Sequence, residues 1–132
     1  MGMYTELHYN VELKKDTPDN VIKVLKYMVG DTLDTSESPD HALFSASRWD
    51  IMLRCDSYYF NADTHSTLRY DEMAKAYFLC VRSNLKNYSD EIALFIDWMS
   101  DYIGASEGEF LGFWRYEGDS EPTLIHHQTK QK

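Results

Sequence analysis

Apolar and polar side chains alternate from Tyr4 to Lys14. Leu7, Tyr9, Val11 and Leu13 take one side, and Glu6, His8, Asn10 and Glu12 the other. A period of two over this length predicts a half-buried strand. Thr17-Pro18-Asp19-Asn20 then offers an N-cap hydroxyl, a proline suited to the first helical position and an acid for the first turn. Beyond it the period becomes helical: Val21, Leu25 and Met28 form a stripe flanked by Ile22, Val24 and Val29, with Lys23 and Lys26 outside it. Gly30 is placed to end that helix. From Asp31 to Asp40 the residues are mostly Asp, Thr, Ser, Glu and Pro, with Leu33 as the single anchor, which predicts a surface loop.

His41 to Ser45 suits a short helical turn. Alternation resumes with Trp49, Ile51, Leu53 and Cys55 against Asp50, Met52, Arg54 and Asp56, which predicts a second strand. Tyr58, Tyr59 and Phe60 prolong its apolar character until Asn61-Ala62-Asp63 breaks it. Ser66 to Asp71 then reads as a short strand and hairpin arm. Ala76 to Leu85 contains the unbroken run Tyr77-Phe78-Leu79-Cys80-Val81, as expected of a central strand covered on both faces. Ser89 is a candidate N-cap for a second helix, with Asp90 and Glu91 in its first turn. Ile92, Phe95, Ile96, Met99, Tyr102 and Ile103 keep the helical period up to Gly104. Phe110 to Tyr116 and Pro122 to His126, joined through Glu117-Gly118-Asp119-Ser120, read as a closing hairpin.

The expected order is β-α-β-β-β-α-β-β, an α+β arrangement in which an antiparallel sheet carries two helices on one face. That order resembles the split βαβ, ferredoxin-like arrangement. Neither an internal repeat nor a linker divides the chain, so residues 1–132 are expected to form one domain with an ordered core over 3–127 and a tail over 128–132.

Charge narrows the partners. Thirteen Lys and Arg stand against 22 Asp and Glu, a net charge of −9, and no cluster of basic residues appears outside the tail, so a nucleic-acid partner is not expected. A macromolecular partner should be neutral or basic. The absence of an apolar run near the roughly 18 residues of a spanning helix, and of a basic-then-apolar leader pattern, leads us to expect a cytoplasmic protein without a membrane partner. Cys55 and Cys80 lack metal-site spacing and are expected as free thiols. His126 and His127 are adjacent, so on a strand they point to opposite faces and do not chelate one ion. No metal or cofactor is expected, because phosphate loops, nucleophile elbows and zinc-protease motifs are missing.

Ten Tyr, six Phe and three Trp are the most informative excess. In the last hairpin, alternation puts Phe110, Trp114 and Tyr116 on one face and Leu111 and Phe113 on the other. With helices over the second set, the first needs cover: a second copy of the chain in a homodimer, a ligand, or the loop from Asp31 to Ser47. His65, near Asp63 and Asp56 in sequence and near Arg54 and Arg69, is the closest approach to an acid/base group. The leading expectation is a small acidic, non-catalytic protein-interaction module of inhibitor or immunity kind, with catalysis left open as the less favoured case. The alternative is a small-molecule-binding protein or small enzyme using an aromatic-lined sheet face. Its candidate binding residues are Arg54, Tyr58, His65, Arg69, Tyr70, Phe110, Trp114 and Tyr116.

Overall fold

A computed structural model describes residues 4–32, 39–46, 48–57 and 63–128. The elements are β1 (Thr5–Glu12), α1 (Asp19–Met28), a 3₁₀ turn (Ala42–Ser45), β2 (Thr67–Asp71), β3 (Ala76–Leu85), α2 (Glu91–Met99), β4 (Phe110–Tyr116) and β5 (Thr123–His126). The strands form one antiparallel sheet in the order β2-β3-β1-β4-β5. The α+β class and the two helices follow the sequence reading; five strands replace the expected six.

The register shows how β1 organises the core. Leu7, Tyr9 and Val11 lie opposite Ser83, Val81 and Leu79 of β3, so all six share one face. Helix α2 packs on that face through Phe95, whose ring meets Tyr9 edge-on at 5.6 Å between centroids. Helix α1 covers the β3 side, with Lys26 over the ring of Tyr77. Val21, Val24, Leu25 and Met28 of α1 join Ile92, Phe95 and Met99 of α2 in one buried cluster. Both helices therefore occupy the same face.

The start of α2 departs from the sequence reading. Its N-cap is Asp90, in the left-handed region, and Ser89 contributes no capping hydroxyl. Instead Asn87 Oδ1 accepts the Ile92 N–H at 2.9 Å, satisfying a donor that the first helical turn leaves open, and Glu91 Oε1 reaches back to accept the Ser89 N–H before the cap at 2.9 Å. At α1 the cap position is Pro18, and the Thr17 hydroxyl donates to the Lys14 carbonyl rather than capping the helix.

The largest correction concerns Trp49 to Asp56. It is a run of turns, with Ile51 N–H on Arg48 O and Arg54 N–H on Ile51 O. Neighbouring Met52 and Leu53 are both fully buried, which a strand facing one core cannot achieve. The buried Ser83 hydroxyl fastens this segment to β3, donating to Met52 O at 2.6 Å and accepting the Cys55 N–H at 3.2 Å.

Much of the aromatic excess serves here. Tyr27, Trp49, Phe44, Trp98 and Tyr102 make successive ring contacts that link α1 to α2 across the turns. His41 adds a contact from Nε2 to Asp97 on α2 at 2.8 Å. Residues 39–46 thus pack on the helices, away from the opposite face of the sheet. No helix among the described residues is long and apolar enough to cross a membrane.

Candidate functional site: the open face of the sheet

The face opposite the helices is built from the other set of alternating positions. Glu6, His8, Asn10 and Glu12 on β1 stand opposite Asn84, Arg82, Cys80 and Phe78 on β3. On the far side of β1, Arg115 and Phe113 oppose Glu6 and His8. Thr67 and Arg69 of β2 and Leu124 of β5 extend the same rows outward.

One row runs across the whole sheet. His65 exchanges backbone hydrogen bonds with Arg82, Arg82 lies opposite His8, His8 opposite Phe113, and Phe113 opposite Leu124. The His8 and Phe113 rings stack at 4.5 Å with 11° between their planes. Beside them Arg115 Nε donates to Glu6 Oε1 at 3.0 Å, and the other Glu6 oxygen lies 3.7 Å from His8 Nε2. Arg82 Nε donates to the carbonyl of Asp63, so its guanidinium is held near the sheet.

The surroundings of His8 favour its neutral form. Burial pushes its pKa below the ordinary 6.5 and Arg82 acts in the same direction, while Glu6 opposes both. Well above pH 6.5 folded and unfolded chains both carry neutral His8. As pH falls from 6.5 towards the lower folded value the unfolded chain takes the proton first, so the fold loses stability, and the loss levels off below that folded value. Urea midpoints measured at a series of pH values are expected to fall more steeply from pH 6.5 downward in wild type than in His8→Asn. Parallel curves would remove His8 as the cause.

The residues singled out from sequence are dispersed. Arg54 lies away from the open face: its Nε donates to Met28 O at 3.2 Å, its Nη2 to Asp50 O at 2.9 Å, and its guanidinium rests over Tyr27. His65 shares a shallow depression of about 290 Å³ with Arg54 and Asp56, and a second of about 210 Å³ with His8, Cys80 and Arg82. Arg69 and Tyr70 border a third, of about 480 Å³, against Phe78 and Cys80; the Tyr70 ring also meets Tyr77 edge-on. Tyr58 lies outside the described residues.

The grouping of Phe110 with Trp114 and Tyr116 is corrected by a bulge. Phe110 pairs with His126 but Gly112 with Ile125, so Leu111 is an extra residue and the alternation reverses there. Phe110 consequently joins Phe113 on the open side, more than half exposed, while Leu111 turns into the core. Trp114 and Tyr116, opposite Leu7 and Thr5, belong to the helix side.

His8, Phe113 and Arg82 were not among the sequence candidates. The signal for His8 was its place in the polar half of the β1 alternation, and for Phe78 and Cys80 the same parity in β3, hidden within an apolar run. Cys55 and Cys80 are free. Burial pushes the Cys55 thiol up, and its Sγ donates to Ile51 O. Among the described residues no three His, Cys, Asp or Glu side chains converge to hold a metal ion. Comparison with protein-family models, curated proteins and solved structures returns no match for this chain.

Proposed function

We propose that this chain is a non-catalytic recognition protein, of inhibitor or immunity kind, that binds a neutral or basic protein partner through the open face of its sheet. The observation that carries the reading is the make-up of that face. Its strands present Arg69, Arg82 and Arg115, the Phe113–His8 stack, Phe78 and Phe110, and no lysine. Protein interfaces are enriched in arginine and aromatic residues and depleted in lysine. Arg82 and Arg115 are already oriented by Asp63 O and Glu6, so less side-chain freedom is lost on docking. The net charge of −9 disfavours an acidic partner overall, and the arginines of the face are suited to donating to main-chain carbonyls of a neutral or basic one.

We read the strand order as a split βαβ, ferredoxin-like sheet with β5 added outside β4, and the two free thiols as suited to a reducing, cytoplasmic setting. The small-molecule reading of this face is weaker. The depression where His8, His65 and Arg82 meet holds about 210 Å³, below the roughly 300 Å³ at which ligand sites begin, and the larger one of about 480 Å³ lies at the edge strand β2, away from the His8–Phe113 stack that carries the recognition reading.

The test compares immobilised wild type, the double variant Phe113→Ala/Arg82→Ala, and the helix-surface control Lys23→Ala in lysate of the source cells. A stoichiometric protein is expected on wild type and control, weakened at least about tenfold on the double variant. Its complex should also shield Cys80 from N-ethylmaleimide. Undiminished binding to the double variant, or Cys80 alkylated as fast in the complex as alone, would overturn the reading. Recovery of only a second copy of this chain would replace the proposed partner with a homodimer.

A further inference from the structure

The small depression on the open face has a chemistry of its own. His65, Arg82 and His8, neighbours in one row, border it together with Asn10 and Cys80 of the adjoining row. Alternation puts all five side chains on this side of the sheet: His65 and Arg82 exchange backbone hydrogen bonds, Arg82 lies opposite His8, and Cys80 opposite Asn10. Asn10 and His65 are exposed, and His8, Cys80 and Arg82 half-buried, so all of them are open to a group arriving from solvent.

The polar groups on this border are chiefly donors. A guanidinium only donates, Asn10 brings an amide NH₂, and each imidazole carries at least one N–H in every protonation state. Arg82 Nε is engaged by the Asp63 carbonyl at 2.6 Å, which leaves the end-on pair of Nη groups, the fork that grips both oxygens of a carboxylate. The Glu6 carboxylate, 3.7 Å from His8 Nε2, has its charge matched from β4 by Arg115 at 3.0 Å. Of the bordering side chains Arg82 alone has a fixed positive charge, and burial together with that charge turns His8 toward its neutral form. One fixed cation suits a monoanion.

We propose that this depression binds the C-terminal carboxylate of the protein partner, with its two oxygens on the Arg82 fork and the His8, His65 and Asn10 donors around it. The inference rests on the recognition reading for the source of the carboxylate and on the bordering side chains for its chemistry. A volume of about 210 Å³ admits a carboxylate and the atoms next to it, but not a drug-sized molecule. Every partner chain has such an end. A protein that is neutral or basic overall therefore supplies one without the net negative charge that this chain's −9 opposes. Capture of a terminal carboxylate by clustered donors is a recurrent mode of peptide recognition.

The test titrates the ¹⁵N-labelled full chain, near neutral pH and at constant ionic strength, with three probes. N-acetylglycine models a chain end, N-acetylglycinamide is its uncharged counterpart, and propionate models an Asp or Glu side chain. N-acetylglycine is expected to shift the amides of Asn10, Cys80 and Arg82 saturably in the millimolar range, and N-acetylglycinamide to leave them unmoved. Propionate should bind at least about threefold more weakly, because it lacks the amide that reaches the outer donors. Arg82→Gln should weaken N-acetylglycine at least about tenfold and His65→Ala at least about threefold, while Lys23→Gln, on the exposed side of α1, changes it less than about twofold. His65→Ala keeps the test decisive where Arg82→Gln disturbs the segment tied through Asp63. The proposal is overturned by the absence of saturable shifts with N-acetylglycine, by equal binding of its amide or of propionate, or by wild-type affinity in His65→Ala or in folded Arg82→Gln. None of these outcomes needs the partner. A partner captured by a chain that ignores N-acetylglycine would leave the recognition reading intact and remove only the chain-end assignment.

Discussion

Gly112→Ala is expected to destabilise the protein by about 3–5 kcal/mol, a large share of the roughly 5–15 kcal/mol that holds a domain of this size together. Gly112 lies mid-ladder between Tyr9 of β1 and Ile125 of β5 with φ +157°. A Cβ there would stand 1.9 Å from the His8 carbonyl oxygen, 2.8 Å from its carbon and 2.9 Å from Tyr9 Cα. All three atoms are backbone of the central strand, so no side chain can swing aside. Relief requires β4 to withdraw from β1, which breaks ladder hydrogen bonds and uncovers the packing of Tyr9. Gly108→Ala is the matched control. Its φ is +84° but a Cβ there meets nothing within 4 Å, so only the conformational cost of about 1–2 kcal/mol remains. The loss in Gly112→Ala, read from denaturant unfolding, should exceed that in Gly108→Ala by at least about 1 kcal/mol. Equal losses would mean that the close approach of β1 and β4 does not constrain this position.

How far the fold was legible in the sequence depended on whether a local pattern matched a local cause. Strand β1, helix α1 and the core of α2 were readable because each buries one stripe at its own natural period. Gly112 was not, because its role comes from a strand distant in sequence. The bulge at Leu111 escaped for a related reason: one extra residue leaves the composition unchanged yet reverses which side chains share a face. That single residue moved Phe110 to the open side and kept Trp114 on the helix side. The open face itself was half-legible. The polar half of the β1 alternation announced it, but the apolar run in β3 suggested cover on both sides where Phe78 and Cys80 in fact look outward.

The segment misread as a strand gives the second large effect, because the two conformations bury different neighbours. Alternation through Trp49, Ile51 and Leu53 would turn Ile51 inward and Met52 outward. In the turns that replace it, Met52 is 0% exposed and Ile51 37% exposed. Met52→Ala should therefore cost about 2–5 kcal/mol, from lost burial and from a cavity beneath the turns that β3 and the helices cannot close. Ile51→Ala should cost under about 1 kcal/mol. The Ser83 hydroxyl sharpens the contrast by fixing the carbonyl of Met52 itself, so the backbone cannot slide to fill the space. Equilibrium unfolding of the two variants under one condition is sufficient to decide. A reversed order of stabilities would restore the alternating strand. It would also free the aromatic chain from Tyr27 to Tyr102, which depends on Trp49 standing between the helices, to serve some other surface.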